Sequence, residues 1–386
     1  MNKKHLFNRR QTLLLGLGSI VSMSTLALGS TLKPQQASNH QKRNFAASGN
    51  LPLARRAAAK GLIYGAAVRK YALSSDAQLA ARFTRECAML VPEWELKWNF
   101  LRPKPNTFNF APADWLAAFA QTHRMLFRGH TLVWHEPHAL PEWFSIVNSQ
   151  NARQILLEHI ATVVGHYAGK IHSWDVVNEA ISVKDGRSDG LRETPWLKFL
   201  GSDYIELAFR AAAKADPKAL LVYNDYGLDY DTPEADAKRT AVLKLLKRLK
   251  SRGTPIHALG IQAHLSASET RFNPQKLQKF LSDVASLGLK ILISELDVKD
   301  KELPVNINIR DRLVAATYED YLSVVLDEPA VTAVITWGLS DRYTWISEFE
   351  ARPDSLPVRP LPLDADINRK LAWNAIARAF DQAPKR

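Results

Sequence analysis

The chain reads as a single α/β domain, a (β/α)8 TIM barrel, set behind an N-terminal export signal and a linker. Three observations carry this reading. From residue 61 onward, short β-rich apolar runs alternate with longer helical patterns, as parallel strands joined by helical crossovers do. These runs number eight, the count of a closed barrel, at residues 62–68, 87–92, 126–133, 172–178, 220–224, 258–263, 290–294 and 330–339. The first run, Gly61-Leu62-Ile63-Tyr64-Gly65, lacks the G-x-G-x-x-G spacing that a doubly wound open sheet usually places there. Between the runs, residues 235–251 put Ala241, Leu245, Leu246 and Leu249 on one helical face, and a last helical pattern covers 371–379. A length of 386 residues suits one large barrel plus a tail, and 46% apolar residues leave enough side chains for a sizeable core.

The ends are of a different character. Residues 1–30 read as an export signal: Arg9 and Arg10 stand together before a leucine-rich apolar run, which resembles a twin-arginine signal, with a general secretory signal as the other reading. The expected location is therefore periplasmic or extracellular, with no stable membrane partner once the signal is removed. Residues 31–60 read as a flexible basic linker, 61–380 as the barrel and 381–386 as a tail. The formal charge of +12 suggests nucleic acid until it is located: residues 1–60 hold ten Lys and Arg and no Asp or Glu, leaving only +2 on the remainder. A near-neutral body has no phosphate-tracking surface, so no nucleic-acid partner is expected. The single cysteine, Cys87, excludes a disulfide framework and a thiolate zinc cluster, and its apolar surroundings make it a core residue. No cofactor motif is present, and a monomer is expected.

Barrel enzymes build their sites from the C-terminal ends of the strands. Here those ends are polar and aromatic: Glu93, Trp94, Glu95 and Lys97 after the second run; His130, Trp134 and His135 with the third; Asn178 and Glu179 after the fourth; Asn224, Asp225 and Tyr226 after the fifth. Gln262 and His264 follow the sixth, Glu295 and Asp297 the seventh, and Trp337, Asp341 and Arg342 the eighth. Helix capping accounts for one such residue, not for seven consecutive strands. Glu179 and Glu295 should face each other across the mouth, and two carboxylates flanking a bond are the equipment of glycoside hydrolysis. Trp134, Trp337 and Trp345 offer apolar platforms for sugar rings, while Asn178, Gln262 and the histidines can bond hydroxyls. His130, His135 and His138 lack the helical spacing of a zinc protease, so no metal is expected.

The strings RGHTLVWH (128–135), SWDVVNEAI (173–181), YNDY (223–226), LGIQAHL (259–265), ISELDV (293–298), TWGLSDRYTW (336–345) and RPLPLDADINRKLAW (359–373) closely resemble glycoside hydrolase family 10, the β-1,4-xylanases. The resemblance implies a retaining endo-β-1,4-xylanase acting on a β-1,4-linked polysaccharide, xylan, by double displacement. Other outcomes of the same machinery are action on another β-glycan, an exo-acting habit, or carbohydrate binding without turnover. It implies Glu179 as the acid/base and Glu295 as the nucleophile, with His264 and Asp297 supporting the nucleophile and Asn178 contacting the sugar at the cleavage point. It places Glu93, Trp94, Lys97, His130, Trp134, Gln262, Trp337 and Trp345 on the donor side and Tyr226 towards the acceptor. The chain departs from the family pattern in three places: Trp94 stands where an asparagine is usual, residues 135–141 lack a glutamine and are longer, and Gly227 follows YNDY. An indole at position 94 should either stack on a sugar or close its subsite.

Overall fold

The computed structural model describes residues 43–386, which belong to one compact unit. The export signal and residues 31–42 of the expected linker lie outside the described residues. Eight parallel strands close into a barrel: β1 (Ile63–Val68), β2 (Met89–Pro92), β3 (Leu126–Val133), β4 (Ser173–Asn178), β5 (Leu220–Asp225), β6 (Ala258–Ile261), β8 (Lys290–Lys299) and β9 (Val331–Thr336). Each pairs with its neighbours in order, β9 returns to β1, and β6 pairs with β8 to complete the ring. A short β7 (His264–Ser266) follows β6 and pairs with the outer end of β8, setting His264 opposite Asp297. Every expected run is a strand. The seventh is longer than its apolar run: β8 continues through the polar residues to Lys299, so Glu295 and Asp297 are alternate residues of one strand.

Two apolar clusters hold the barrel. Ala67, Met89, Val91, Val222, Ala258, Leu292, Ala333 and Ile335 fill its interior, with Trp337 above them as the floor of the mouth. A larger shell packs the outer strand faces against the helices. This double burial explains why the strands read as continuous apolar runs rather than alternating ones. The helices have local start signals: for Pro233–Ser251, Thr232 accepts from the Ala235 N–H, proline opens the helix, Glu234 and Asp236 sit in its first turn, and Arg248 and Lys250 sit in its last. On its inner face the buried residues are Val242, Leu245, Leu246 and Leu249, while Ala241 is only half-buried.

Two boundaries move. From Arg43 onward the expected linker packs on the barrel: Phe45 is buried, Leu53–Ala58 is a helix, and Arg43 pairs with Glu319 and Asp320. Arg56 pairs with Asp381, and Lys60 Nζ donates to the Ala383 carbonyl at 2.6 Å. The expected tail is also docked, since the last helix runs to Gln382 and Arg386 Nε donates to the Val331 carbonyl at 2.7 Å. The basic residues that suggested a solvated linker have their partners near the far end of the chain, which no local pattern reveals. Among the described residues no helix is long and apolar enough to cross a membrane.

One close approach sets the mouth. Gly260 of β6 faces Asn224 of β5, and a Cβ at position 260 would lie 2.1 Å from Asn224 Oδ1. Gly260→Ala therefore has to displace the Asn224 side chain, and we expect a loss of roughly 1–3 kcal/mol in urea unfolding followed by circular dichroism. An unchanged midpoint would mean that β5 and β6 are not held at this spacing.

Candidate active site

The polar strand ends line a cavity of ≈ 540 Å³ at the C-terminal mouth of the barrel. Glu93, Trp94, Lys97, His130, Trp134, Asn178, Glu179, Tyr226, Gln262, His264, Glu295, Trp337 and Trp345 all line it. Asp297, the remaining expected site residue, is fully buried beneath His264 and Trp345. Not every polar strand end belongs here. Glu95 accepts the Lys70 and Trp94 backbone N–H groups, Asp341 accepts from Lys370 Nζ at 2.8 Å and the Leu361 N–H at 2.9 Å, and Arg342 pairs with Asp76. These three staple loops rather than face the cavity.

Glu179 and Glu295 are both buried and are joined through amides. Asn224 Nδ2 donates to Glu295 Oε1 at 2.6 Å and to Asn178 Oδ1 at 2.9 Å, while Asn224 Oδ1 accepts from Ser294 Oγ at 2.6 Å. Asn178 Nδ2 in turn donates to Glu179 Oε1 at 3.1 Å, and Gln262 Nε2 donates to the same oxygen at 2.9 Å. Glu179 has a left-handed backbone, φ 58°, as does Ala263 between Gln262 and His264. A non-glycine residue is uncommon in that region and must be held there by its surroundings. For Glu179 the holders are its N–H to the Asn224 carbonyl and Arg192 Nε to its own carbonyl, each at 2.8 Å.

The second oxygen of Glu295 faces a different partner. His264 Nε2 lies 3.4 Å from Glu295 Oε2, and its Nδ1 lies 3.0 Å from Asp297 Oδ1. Trp345 Nε1 donates to the other Asp297 oxygen at 2.8 Å. Burial opposes charge on His264, but Asp297 and Glu295 outweigh it and push its pKa up to about 10. Burial also opposes charge on Glu295, yet the His130 and His264 imidazoles and the Asn224 amide hold it down to about 2. His130 is itself oriented by Asp175, whose Oδ2 is 3.0 Å from His130 Nδ1. Lys97 is buried with its ammonium 4.2 Å from the Trp94 ring centre and 5.0 Å from that of Trp134, and burial lowers its pKa. Among the described residues His135, Glu136 and Glu179 bring ligand-type atoms within 4.8 Å of one another, so the weighed trio of His130, His135 and His138 is not the grouping that forms.

Sequence reasoning missed several of these residues. Asn224 was visible at its strand end without a role; its position beside a glycine in the next strand is the signal that could have marked it. Asp175, Arg192 and Arg69, whose Nη2 donates to Glu93 Oε1 at 2.8 Å, carried no signal, because their partners lie on other loops or on the neighbouring strand. Tyr226 is held by Arg192 Nη2, which donates to its hydroxyl at 2.9 Å, and by Lys238 Nζ, 3.6 Å from its ring centre.

A (β/α)8 barrel whose mouth holds two buried glutamates among indoles and amides is a glycoside hydrolase in architecture. The chain belongs to glycosyl hydrolase family 10, whose sequence pattern matches residues 52–379. It is 37% identical over 297 residues to the beta-1,4-xylanase of Dictyoglomus thermophilum, covering 75% of this chain and 81% of that protein. It is also 37% identical over 303 residues to endo-1,4-beta-xylanase B of Thermotoga neapolitana, covering 78% and 83%. Among solved structures it resembles xylanase 10B from Thermotoga petrophila RKU-1 in complex with xylobiose, at TM-score 0.78 and 32% identity over 87% of this chain and 99% of that one.

The raised pKa of His264 makes a prediction about stability. A histidine whose folded pKa lies above its ordinary 6.5 contributes stability that is complete below that pH and lost as pH rises through about 10. Urea unfolding of the parent and of His264→Gln should therefore show the widest gap in stability near neutral pH and below, narrowing towards pH 10. A gap that widens over this range would contradict the ion-paired imidazole.

Proposed function

We propose that this protein is a retaining β-1,4-xylanase that hydrolyses xylan by double displacement, the activity for which its endo-1,4-beta-xylanase relatives are named. The observation that carries the reading is the difference between the two glutamates. Glu295 receives a donor on each oxygen and is held ionised, whereas Glu179 receives both of its amide donors on one oxygen.

In the first step the Glu295 carboxylate attacks the anomeric carbon while Glu179 passes its proton to the glycosidic oxygen, which leaves as a hydroxyl. The product is an ester between the sugar and Glu295. In the second step Glu179, now a carboxylate, takes a proton from water as that water attacks the same carbon and frees Glu295. Two inversions at one carbon give net retention. Asn224 and His264 hold the Glu295 oxygens along the attack direction, and Asp297 keeps His264 oriented and charged. Trp337 and Trp345 supply apolar faces to the sugar rings. Export through the twin-arginine-like or secretory segment belongs to the same proposal, since a polysaccharide cannot cross the membrane to reach its enzyme.

A reducing-sugar assay across xylan, mixed-linkage glucan, mannan and cellulose should give release from xylan first and foremost; preference for another polymer would overturn the substrate. The two carboxylates should be about 5–5.5 Å apart, and NMR should detect the retained anomer before mutarotation. Glu295→Gln should abolish turnover of every substrate. Glu179→Ala should lose on the order of 10²–10⁴-fold on substrates with poor leaving groups and much less on activated aryl glycosides. Equal losses on both substrate types would exclude Glu179 as the acid.

A further inference from the structure

Glu136, after β3, is a carboxylate at the mouth that neither step of hydrolysis uses. It falls in the segment 135–141 that departs from the family pattern. The segment is anchored at both sides of it: the Trp134 carbonyl accepts from Trp196 Nε1 at 3.2 Å, and the His138 carbonyl accepts from Asn99 Nδ2 at 2.6 Å. Glu136 and Glu179 both line the cavity. His135 Nε2 lies 3.4 Å from Glu136 Oε1, and ligand-type atoms of His135, Glu136 and Glu179 all lie within 4.8 Å of one another.

An imidazole and two carboxylates are a donor set for a divalent transition ion. Bonds of about 2.0–2.2 Å at tetrahedral angles put neighbouring ligand atoms roughly 3.3–3.6 Å apart, a spacing the His135–Glu136 pair already meets. Glu136 is half-buried at the edge of the cavity, so its carboxylate can turn to close the wider gaps. The carboxylate oxygens that face away from the ion have partners of their own. His138 Nδ1 lies 3.6 Å from the second oxygen of Glu136. Glu179 takes the Asn178 and Gln262 amides on Oε1, which leaves Oε2 without a side-chain donor in a residue that is 8% exposed. Outer partners of this kind orient metal ligands. His135 lacks one, since its Nδ1 is buried without a partner among the described residues, and that missing bond marks a reversible site rather than a permanent centre.

We propose that His135, Glu136 and Glu179 form a reversible site for a divalent transition ion of the zinc type, and that the bound ion switches off hydrolysis by occupying Glu179 Oε2. The two amides on Oε1 leave Oε2 to carry the catalytic proton. That proton goes to solvent as the ion binds, and the glycosidic oxygen is left without its acid. Glu295, Asn224 and His264 are untouched. The loss of turnover rests on the reading of Glu179 as the acid of a xylan hydrolase; the binding of the ion does not. Magnesium, which demands an octahedron of oxygens and gives up its waters reluctantly, does not suit a site with an imidazole.

The test uses the full chain freed of metal with EDTA and dialysed, zinc chloride as the probe, isothermal titration calorimetry for binding and xylan hydrolysis for turnover. The parent should bind zinc, lose activity as zinc is added and regain it with excess EDTA, while magnesium does neither. Glu136→Gln keeps the size of the side chain and removes one ligand. It should weaken zinc binding and raise the zinc concentration for half-inhibition together, by roughly tenfold or more. Absence of zinc binding, equal zinc affinity in the parent and Glu136→Gln, or activity that rises with zinc would overturn the site and leave the xylan reading standing. Zinc held in a Glu136-dependent manner without loss of turnover would overturn the switch and the acid role of Glu179 with it. A metal-free parent inactive on xylan, with zinc binding still dependent on Glu136, would overturn the xylan reading and support the ion site.

Discussion

The mouth of the barrel depends on one side-chain amide. Asn224 donates to Glu295 and to Asn178 and accepts from Ser294, so a single residue of β5 links the glutamate of β8 to the end of β4. Through Asn178 the link reaches Glu179. A buried carboxylate is tolerable only when its lost hydration is replaced by donors of fixed direction. Asn224 provides such a donor, and it can be there because Gly260 leaves the space that a Cβ would take. The distance between two strands, the absence of one methyl group and the charge of one glutamate are thus a single constraint.

The other side of Glu295 follows the same logic with charges in place of amides. The sequence Trp345, Asp297, His264, Glu295 alternates donor and acceptor, and its register comes from the backbone, because β7 pairs with β8 so as to set His264 opposite Asp297. An indole fixes the aspartate, the aspartate keeps the imidazole charged, and the imidazole keeps the glutamate ionised in a site that burial alone would neutralise. Donors fixed before the reaction need not reorganise as the negative charge leaves Glu295 and Glu179 becomes the carboxylate. Arg69 works in the same way between loops: it donates to Glu93 and to Glu348, and its guanidinium lies 5.3 Å from the Trp94 ring centre.

Much of this was legible in the sequence, for identifiable reasons. Barrel strands are buried on both faces, so β1 to β6 and β9 stand out as apolar runs. β8 was cut short at residue 294 because the residues that complete it, Glu295, Asp297 and Lys299, are the polar ones that the mouth requires. The cavity-lining residues were legible because they follow such runs and because their strings resemble a known family. What stayed hidden depends on pairings across the fold. Arg69 follows a strand whose end looked empty, and Arg43 and Arg56 looked like linker because Glu319 and Asp381 are hundreds of residues away. Glu95, Asp341 and Arg342 looked functional and are structural, since position at a strand end does not say which way a side chain turns.

The central claim is that Glu295, held by Asn224 and His264, forms the bond to the sugar. The direct measurement is inactivation by a 2-deoxy-2-fluoro-β-xyloside with a good leaving group, which slows release of the glycosyl-enzyme, followed by peptide mass spectrometry. The account predicts one sugar-mass addition, on the peptide containing Glu295 and at that residue. A label on any other residue, or turnover without a covalent intermediate and with the inverted anomer formed first, would contradict it.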